Sequence, residues 1–284
     1  LFVPYRDLLL TISVPFLWGV GFVISKPAME YFPPMLLNGL RWSITGIILC
    51  WWFPFPKEKI WHLLLISFIG CTIQYTLTFS GLNLIEASSA VLLVQSEVPF
   101  GVLIAMIFLK EKPKKINLIA LLFAFCGLYI LTGSPTLENK IEGVLLVLGG
   151  ALTWSVGQVI AKPVSQTMNG IHLTAWLGIL AGPQLILASY FYDGNSFNYI
   201  YSANLNSWLI VIYLGIMMNI VGYSTWYYVL GKYPVNKVIS AHLLLPIIGV
   251  LTAIIFLGER PENQVFIGGA VVLISVAIIL YNKE

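Results

Sequence analysis

The chain has 284 residues, of which 58% are hydrophobic and only 10% charged, with a net charge of +3 at pH 7. Soluble domains carry about 25% charged residues, so this composition excludes a water-soluble globular protein. It describes an all-α integral membrane protein with nearly all of its mass in the bilayer.

A membrane-crossing helix needs about 20 mostly apolar residues. On that ruler the sequence predicts ten spans, at 8–28, 34–53, 60–82, 87–109, 115–133, 143–165, 170–192, 207–230, 236–257 and 263–281. The first follows Arg6. It is too long for a signal peptide and lacks a small-residue cleavage site. The chain begins at Leu1 rather than Met, so a few residues are expected to precede it. Turn and charge signals separate the spans: FPP (32–34), FPFPKEK (53–59), LKEKPKK (109–115), SPTLENK (134–140), YDGNSFN (192–198), GKYP (231–234) and GERPEN (258–263). Such short connections leave almost no extramembrane domain. Cys50, Cys71 and Cys126 all fall in apolar runs and read as small buried hydrophobes, not as disulfides or metal ligands.

Lysine and arginine in the loops set the expected orientation. One side collects Arg6, Lys57, Lys59, Lys110, Lys112, Lys114, Lys115, Lys232, Lys237 and Lys283. The other has only Lys140 and Arg260, with Glu30, Glu86, Glu138, Glu142, Asp193 and Glu262. Both termini are therefore expected in the cytoplasm. The basic balance reflects this bias and anionic lipid; no nucleic-acid partner is expected, because no basic patch carries interleaved aromatics.

WGVGFVISKP (18–27) recurs 136 residues later as WSVGQVIAKP (154–163), with seven of ten positions identical. FLKEKP (108–113) is matched by FLGERP (256–261), and VQSEVP (94–99) by AHLLLP (241–246). Two repeats follow, 1–133 and 143–284, joined by a linker at 134–142. Each holds five spans, an odd number, so the second lies inverted relative to the first. Inverted repeats that rock about a midplane site are the usual logic of alternating access.

WGVGFVISKPAMEYFPPMLLNGLRW (18–42), the two hexamers that close spans 4 and 9, and the five-plus-five organisation resemble the drug/metabolite transporter superfamily, EamA type. The resemblance covers essentially the whole chain. The segments 18–42 and VLLVQSEVPFGVLIAMIFLKEKP (91–113) are most similar to exporters of amino acids and their metabolites. It implies ten helices around a central cavity lined by spans 1–4 and 6–9, with spans 5 and 10 peripheral.

Ionisable residues inside a span are functional candidates by default. Glu97 lies about 15 Å into span 4 and Arg41 about 10 Å into span 2, at 1.5 Å per residue. Either they pair, or Arg41 grips a substrate carboxylate as a bidentate fork while Glu97 takes an ammonium or a proton. Gln95 and His242 are equivalent under the repeat, four residues before Pro99 and Pro246. In a continuous helix Gln95 and Glu97 point about 200° apart, which places Gln95 and His242 in the cavity and turns Glu97 toward a neighbouring helix. His242 is either a proton-coupling group or a neutral hydrogen-bonding residue. Lys26 and Lys162 sit near opposite ends of spans 1 and 6: they snorkel to the interface, Lys26 toward Glu86, or act as paired gate residues. Deep aromatics, among them Trp18, Tyr75, Trp154, Trp176 and Tyr223, form an apolar wall or simply pack. Asn38, Gln74, Gln158 and Asn219 join helices or read a polar ligand. Pro99 and Pro246 are expected to kink their spans and serve as hinges.

No Walker A, Rossmann glycines, metal-ligand pattern or GxSxG elbow appears, so no ATPase, cofactor or hydrolase chemistry is expected. An intramembrane enzyme with Glu97 and His242 as acid and base is disfavoured, because no third group orients them. The reading is a secondary transporter of a bacterial inner membrane, proton-coupled or uncoupled, monomer or homodimer. It exports amino acids or related metabolites; the alternative is efflux of aromatic or cationic drugs.

Overall fold

The computed structural model describes residues 4–108, 114–194, 196–233 and 240–281. Lys110, Lys112, Lys237, Lys283 and most of the hexamer 108–113 lie outside them, as does the start of the expected ninth span. The regular secondary structure of the described residues is all helical, without a strand. Spans 1 and 2 are Tyr5–Ala28 and Pro34–Leu49; span 3 is Lys57–Leu84; span 4 runs from Ala87 to Phe108 in two pieces; span 5 is Lys115–Thr132. Spans 6 to 8 are Ile141–Thr167, Gly170–Asp193 and Leu205–Lys232, and spans 9 and 10 are Leu244–Leu257 and Asn263–Tyr281. Among the described residues seven helices are long and apolar enough to cross a bilayer, by length and composition; the shorter helices of spans 2, 9 and 10 complete the ten. The connection between spans 7 and 8, expected as a plain turn, contains a short helix, Ser196–Ser202.

The ten spans pack in a symmetric pattern. Span 2 packs along span 7, and span 5 along span 10. Span 1 packs on span 9 as span 6 packs on span 4; span 3 packs on span 6 as span 8 packs on span 1. Exchanging spans 1–5 for 6–10 leaves this set of pairs unchanged.

Without a hydrophobic force between helices in lipid, close approach depends on small residues. Gly46 and Gly178 meet where span 2 crosses span 7: a Cβ on Gly178 would stand 2.5 Å from the Gly46 nitrogen. A Cβ on Gly157 of span 6 would stand 2.6 Å from the Cα of Gly70 of span 3. Both obstacles are backbone, which cannot rotate away. Gly178→Val is therefore expected to push spans 2 and 7 apart and cost roughly 1–3 kcal/mol, the usual cost of overpacking. A melting temperature unchanged from wild type in detergent would show that the crossing tolerates the extra bulk.

Three interruptions shape the cavity and none follows from hydrophobic periodicity. Span 3 widens to a π-helix over Ile66–Ile73, and span 8 does the same over Leu214–Tyr223. Such turns recur at functional sites. Span 4 breaks at Gln95–Ser96, between Ala87–Val94 and Glu97–Phe108. Pro99 and Pro246, expected to kink their spans, are the third residues of Glu97–Phe108 and Leu244–Leu257, and each follows an interruption: the break at Gln95–Ser96 and the 3-10 turn Ser240–Leu243. A missing N–H is harmless in a first helical turn, so both prolines start a helix. The Gln95 carbonyl that Pro99 cannot reach accepts from Val98 N at 3.2 Å.

Candidate functional site

A cavity of about 60 Å³ lies between the halves. Span 1 contributes Trp18 and Phe22; span 3 Gln74, Tyr75, Thr78 and Phe79; span 4 Val91, Val94 and Glu97. From the second half come Ala151 and Trp154 of span 6, Met218 and Tyr223 of span 8, and His242 and Leu245 at the start of span 9. Spans 2 and 7, expected to line the cavity, supply none of these residues, because their glycine crossing packs them on each other.

The wall is aromatic. Trp18 sits at its centre, with ring centroids 4.7 Å from Tyr223, 5.7 Å from Trp154 and 5.4 Å from His242. Its indole donates to the Met218 carbonyl at 3.0 Å, inside the π-helical stretch of span 8. Trp226 stacks on His242 at 4.4 Å and donates to Gln158 Oε1 at 2.8 Å, which occupies Gln158 away from the cavity.

One carboxylate faces this space. His242 Nδ1 lies 3.2 Å from Glu97 Oε1. His242 lines the cavity as expected, but the break at Gln95–Ser96 removes the continuous-helix premise and exchanges the other two: Glu97 lines the cavity, while Gln95 is fully buried away from it. Neither amide atom of Gln95 has a hydrogen-bond partner among the described residues. Ser155 of span 6 donates to the Glu97 carbonyl at 2.6 Å, holding the start of the second helical piece.

Arg41 does not pair with Glu97. It is fully buried, and its contacts are neutral: Nη2 donates to the Tyr75 hydroxyl at 2.7 Å and to Asn219 Oδ1 at 3.0 Å, and Nη1 approaches Met218 Sδ at 3.7 Å. The guanidinium lies over the Tyr75 ring, 4.6 Å from its centroid. No carboxylate among the described residues pairs with it. Arg41 thus stands behind the wall made by Tyr75, Tyr223 and Met218 and cannot itself form a bidentate fork to a solute in this conformation.

The remaining amides divide. Gln74 lines the cavity, donates to Thr78 at 3.0 Å and leaves its Oε1 without a partner among the described residues. Asn38 donates to the Pro34 carbonyl one turn back on its own helix at 2.7 Å, away from the cavity. Trp176 lies away from it too: its indole and the His172 ring both reach the Pro54 carbonyl, at 3.1 and 2.9 Å, fastening the 53–56 loop to span 7.

Lys26 and Lys162 share one role. Lys26 Nζ donates to the Ile85 carbonyl at 2.5 Å, at the end of span 3, with Glu259 rather than Glu86 as its carboxylate, 3.8 Å away. Lys162 donates to the carbonyls of Leu230 and Tyr233 at the end of span 8. Each repeated Lys-Pro thus puts a cation on the C-terminal carbonyls of the third helix in its own half, where the helix dipole favours it. Lys162→Met is expected to lower stability by about 1 kcal/mol through this lost cap, read as a shifted melting temperature. An unchanged melting temperature would leave the lysine without a structural role. Glu259 itself caps span 4, accepting from the N–H groups of Ala87 and Ser88 at 2.8 and 2.9 Å. Burial and the nearby Glu259 charge push the Glu86 carboxyl above its ordinary range.

Sequence reading passed over Asp7, whose partners come from the far end of the chain. Asp7 is buried, accepts from Lys232 Nζ at 2.6 Å, and is also bonded by Tyr228 and Tyr233. An acid at the head of an apolar run was the available signal. Met218, Thr78 and Ser155 were likewise not singled out.

A multi-pass helical membrane protein with a buried aromatic cavity between two similar halves has the build of a solute transporter. The chain belongs to the EamA-like transporter family, whose model matches it twice, over residues 6–133 and 141–281. A probable amino-acid metabolite efflux pump of Escherichia coli (strain K12) is 24% identical, covering 98% of this chain and 95% of that protein. An uncharacterized transporter of Bacillus subtilis (strain 168) is 27% identical over 96% of this chain and 91% of its own. One solved crystal structure superposes with a TM-score of 0.68 at 17% identity, covering 96% of each chain, which shows the fold. The family and these relatives are transporters, not enzymes.

Proposed function

We propose that this transporter is a secondary carrier that exports amino acids or closely related metabolites across a bacterial inner membrane. One observation carries the reading. Glu97 lines the cavity while Arg41 stands behind its opposite wall, one hydrogen bond removed through Tyr75, and no ion pair joins the two. An amino-acid zwitterion presents the complementary pair of charges, and its side chain meets the aromatic wall. The two halves, 1–133 and 143–284 joined at 134–142, act as inverted repeats that rock about this cavity, with both termini cytoplasmic. The relative named as an amino-acid metabolite efflux pump supports the substrate class and the outward direction.

The test is counterflow in liposomes with a panel of radiolabelled amino acids and their amine and acid analogues. Saturable exchange of amino acids supports the reading; exchange of amines alone sinks it. The aromatic wall around Trp18, with Glu97 as its only lining carboxylate among the described residues, favours a second reading, efflux of aromatic or cationic drugs. Both readings require the cavity to widen, the second by more, since about 60 Å³ holds only a few waters.

A further inference from the structure

We propose that the Tyr75–Tyr223 hydroxyl pair, polarised from behind by Arg41, is the subsite that receives the carboxylate of the transported solute. The proposal rests on the carrier reading and specifies how the anionic end is read. A tyrosine hydroxyl carries one donor proton and two acceptor sites, whereas a guanidinium only donates. Arg41 therefore donates to Tyr75 Oη, at 2.7 Å. The two hydroxyl oxygens lie 2.6 Å apart and share a single hydrogen bond. Two hydroxyl protons are present and that bond uses one. Among the described residues neither hydroxyl has a further partner, so one O–H proton is left over whichever way the shared bond points.

Both tyrosines line the cavity, and both are 3% exposed. A buried donor without an acceptor is costly, and it is sustained where a ligand supplies the acceptor. Hydrogen bonds in a chain polarise one another, so the charge on Arg41 strengthens the spare donor without facing the solute. Asn219, which also holds Arg41 Nη2, keeps the guanidinium on the Tyr75 side. The solute class is a carboxylate. Glu97 lines the same cavity and repels that group, so an amine on the same solute orients toward Glu97 and away from the tyrosines.

The experiment titrates purified protein in detergent with leucine, isoamylamine and 4-methylpentanoate, following tryptophan fluorescence, since Trp18 and Trp154 line the cavity. Wild type, Tyr223→Phe and Tyr75→Phe are compared. Each Phe variant is expected to weaken leucine and 4-methylpentanoate by about ten- to a hundredfold while leaving isoamylamine within about twofold. The double variant is expected to lose little beyond either single one, because both break one relay. Equal weakening of all three compounds would overturn the proposal and assign the tyrosines to packing, as would unaltered leucine binding in both variants. Wild type that binds only isoamylamine would also overturn it. Selective loss of carboxylate binding, together with absent counterflow in liposomes, would uphold the subsite and refute the carrier reading.

Discussion

Arg41→Ala is expected to abolish amino-acid counterflow in liposomes, with exchange falling at least about a hundredfold. The guanidinium is fully buried, and its contacts are two oxygens and a sulfur, all neutral. Keeping an ion out of water costs several kcal/mol even after relaxation, and a carboxylate neighbour would be the ordinary compensation. None among the described residues provides it. Alanine removes the charge, leaves Tyr75 Oη and Asn219 Oδ1 without their donor, and opens a void behind the wall. The stability change is the small remainder of opposing effects, whereas transport of anions loses its main attraction. Arg41→Lys restores the charge without the planar fork that serves Tyr75 and Asn219 together, and partial recovery is expected. Full activity in Arg41→Ala would remove the amino-acid reading and favour cation efflux.

Glu97→Gln is the second large effect. The substitution preserves size and an oxygen for His242 Nδ1, so the fold is expected to survive. What disappears is the negative charge at the mouth of the broken span. A charged hydrogen bond contributes about 1.5–3 kcal/mol, hence a loss of roughly ten- to hundredfold in exchange of any solute carrying an ammonium. A carboxylate-only solute should be unharmed or improved, since repulsion from Glu97 is gone. If leucine exchange is untouched by Glu97→Gln, the carboxylate does not meet substrate and belongs to the His242 pair alone. Loss in Glu97→Gln with Arg41→Ala fully active is the signature of the drug reading.

Much of the architecture is legible in the residues. Ten apolar stretches, the breaks between them and the recurrence of the Trp-to-Pro stretch all come directly from composition and spacing, because lipid forces apolar helices of near-constant length. Deep polar residues announced a site, and several of them line the cavity: Glu97, His242, Gln74, Tyr75 and Tyr223. Their pairing was not legible. Glu97 and Arg41 looked like partners by depth, yet depth says nothing of azimuth once a helix breaks. The interruption at Gln95–Ser96 and the π-helical stretches over Ile66–Ile73 and Leu214–Tyr223 change azimuth by whole residues, and hydrophobic periodicity is blind to both. Trp176 and Asn38 are deep enough to be candidates for the cavity; their hydrogen bonds to Pro54 and Pro34 give them local roles that spacing alone does not separate from ligand binding.

The lysines of the recurring stretch bear on biosynthesis. Lys26 reaches a carbonyl 59 residues ahead, and Lys162 one 68 residues ahead, so each bond closes within its own half. The crossings of span 2 with span 7 and of span 5 with span 10 join the halves and must wait. Translation at about 5–20 residues per second leaves the first five helices alone for many seconds before their partners emerge. During that interval the carbonyls ending span 3 would face lipid headgroups uncapped if their cation came from the later half. Supplying it from span 1 lets the nascent half satisfy that helix end as soon as it is inserted, and the repeat provides the same arrangement to the second half.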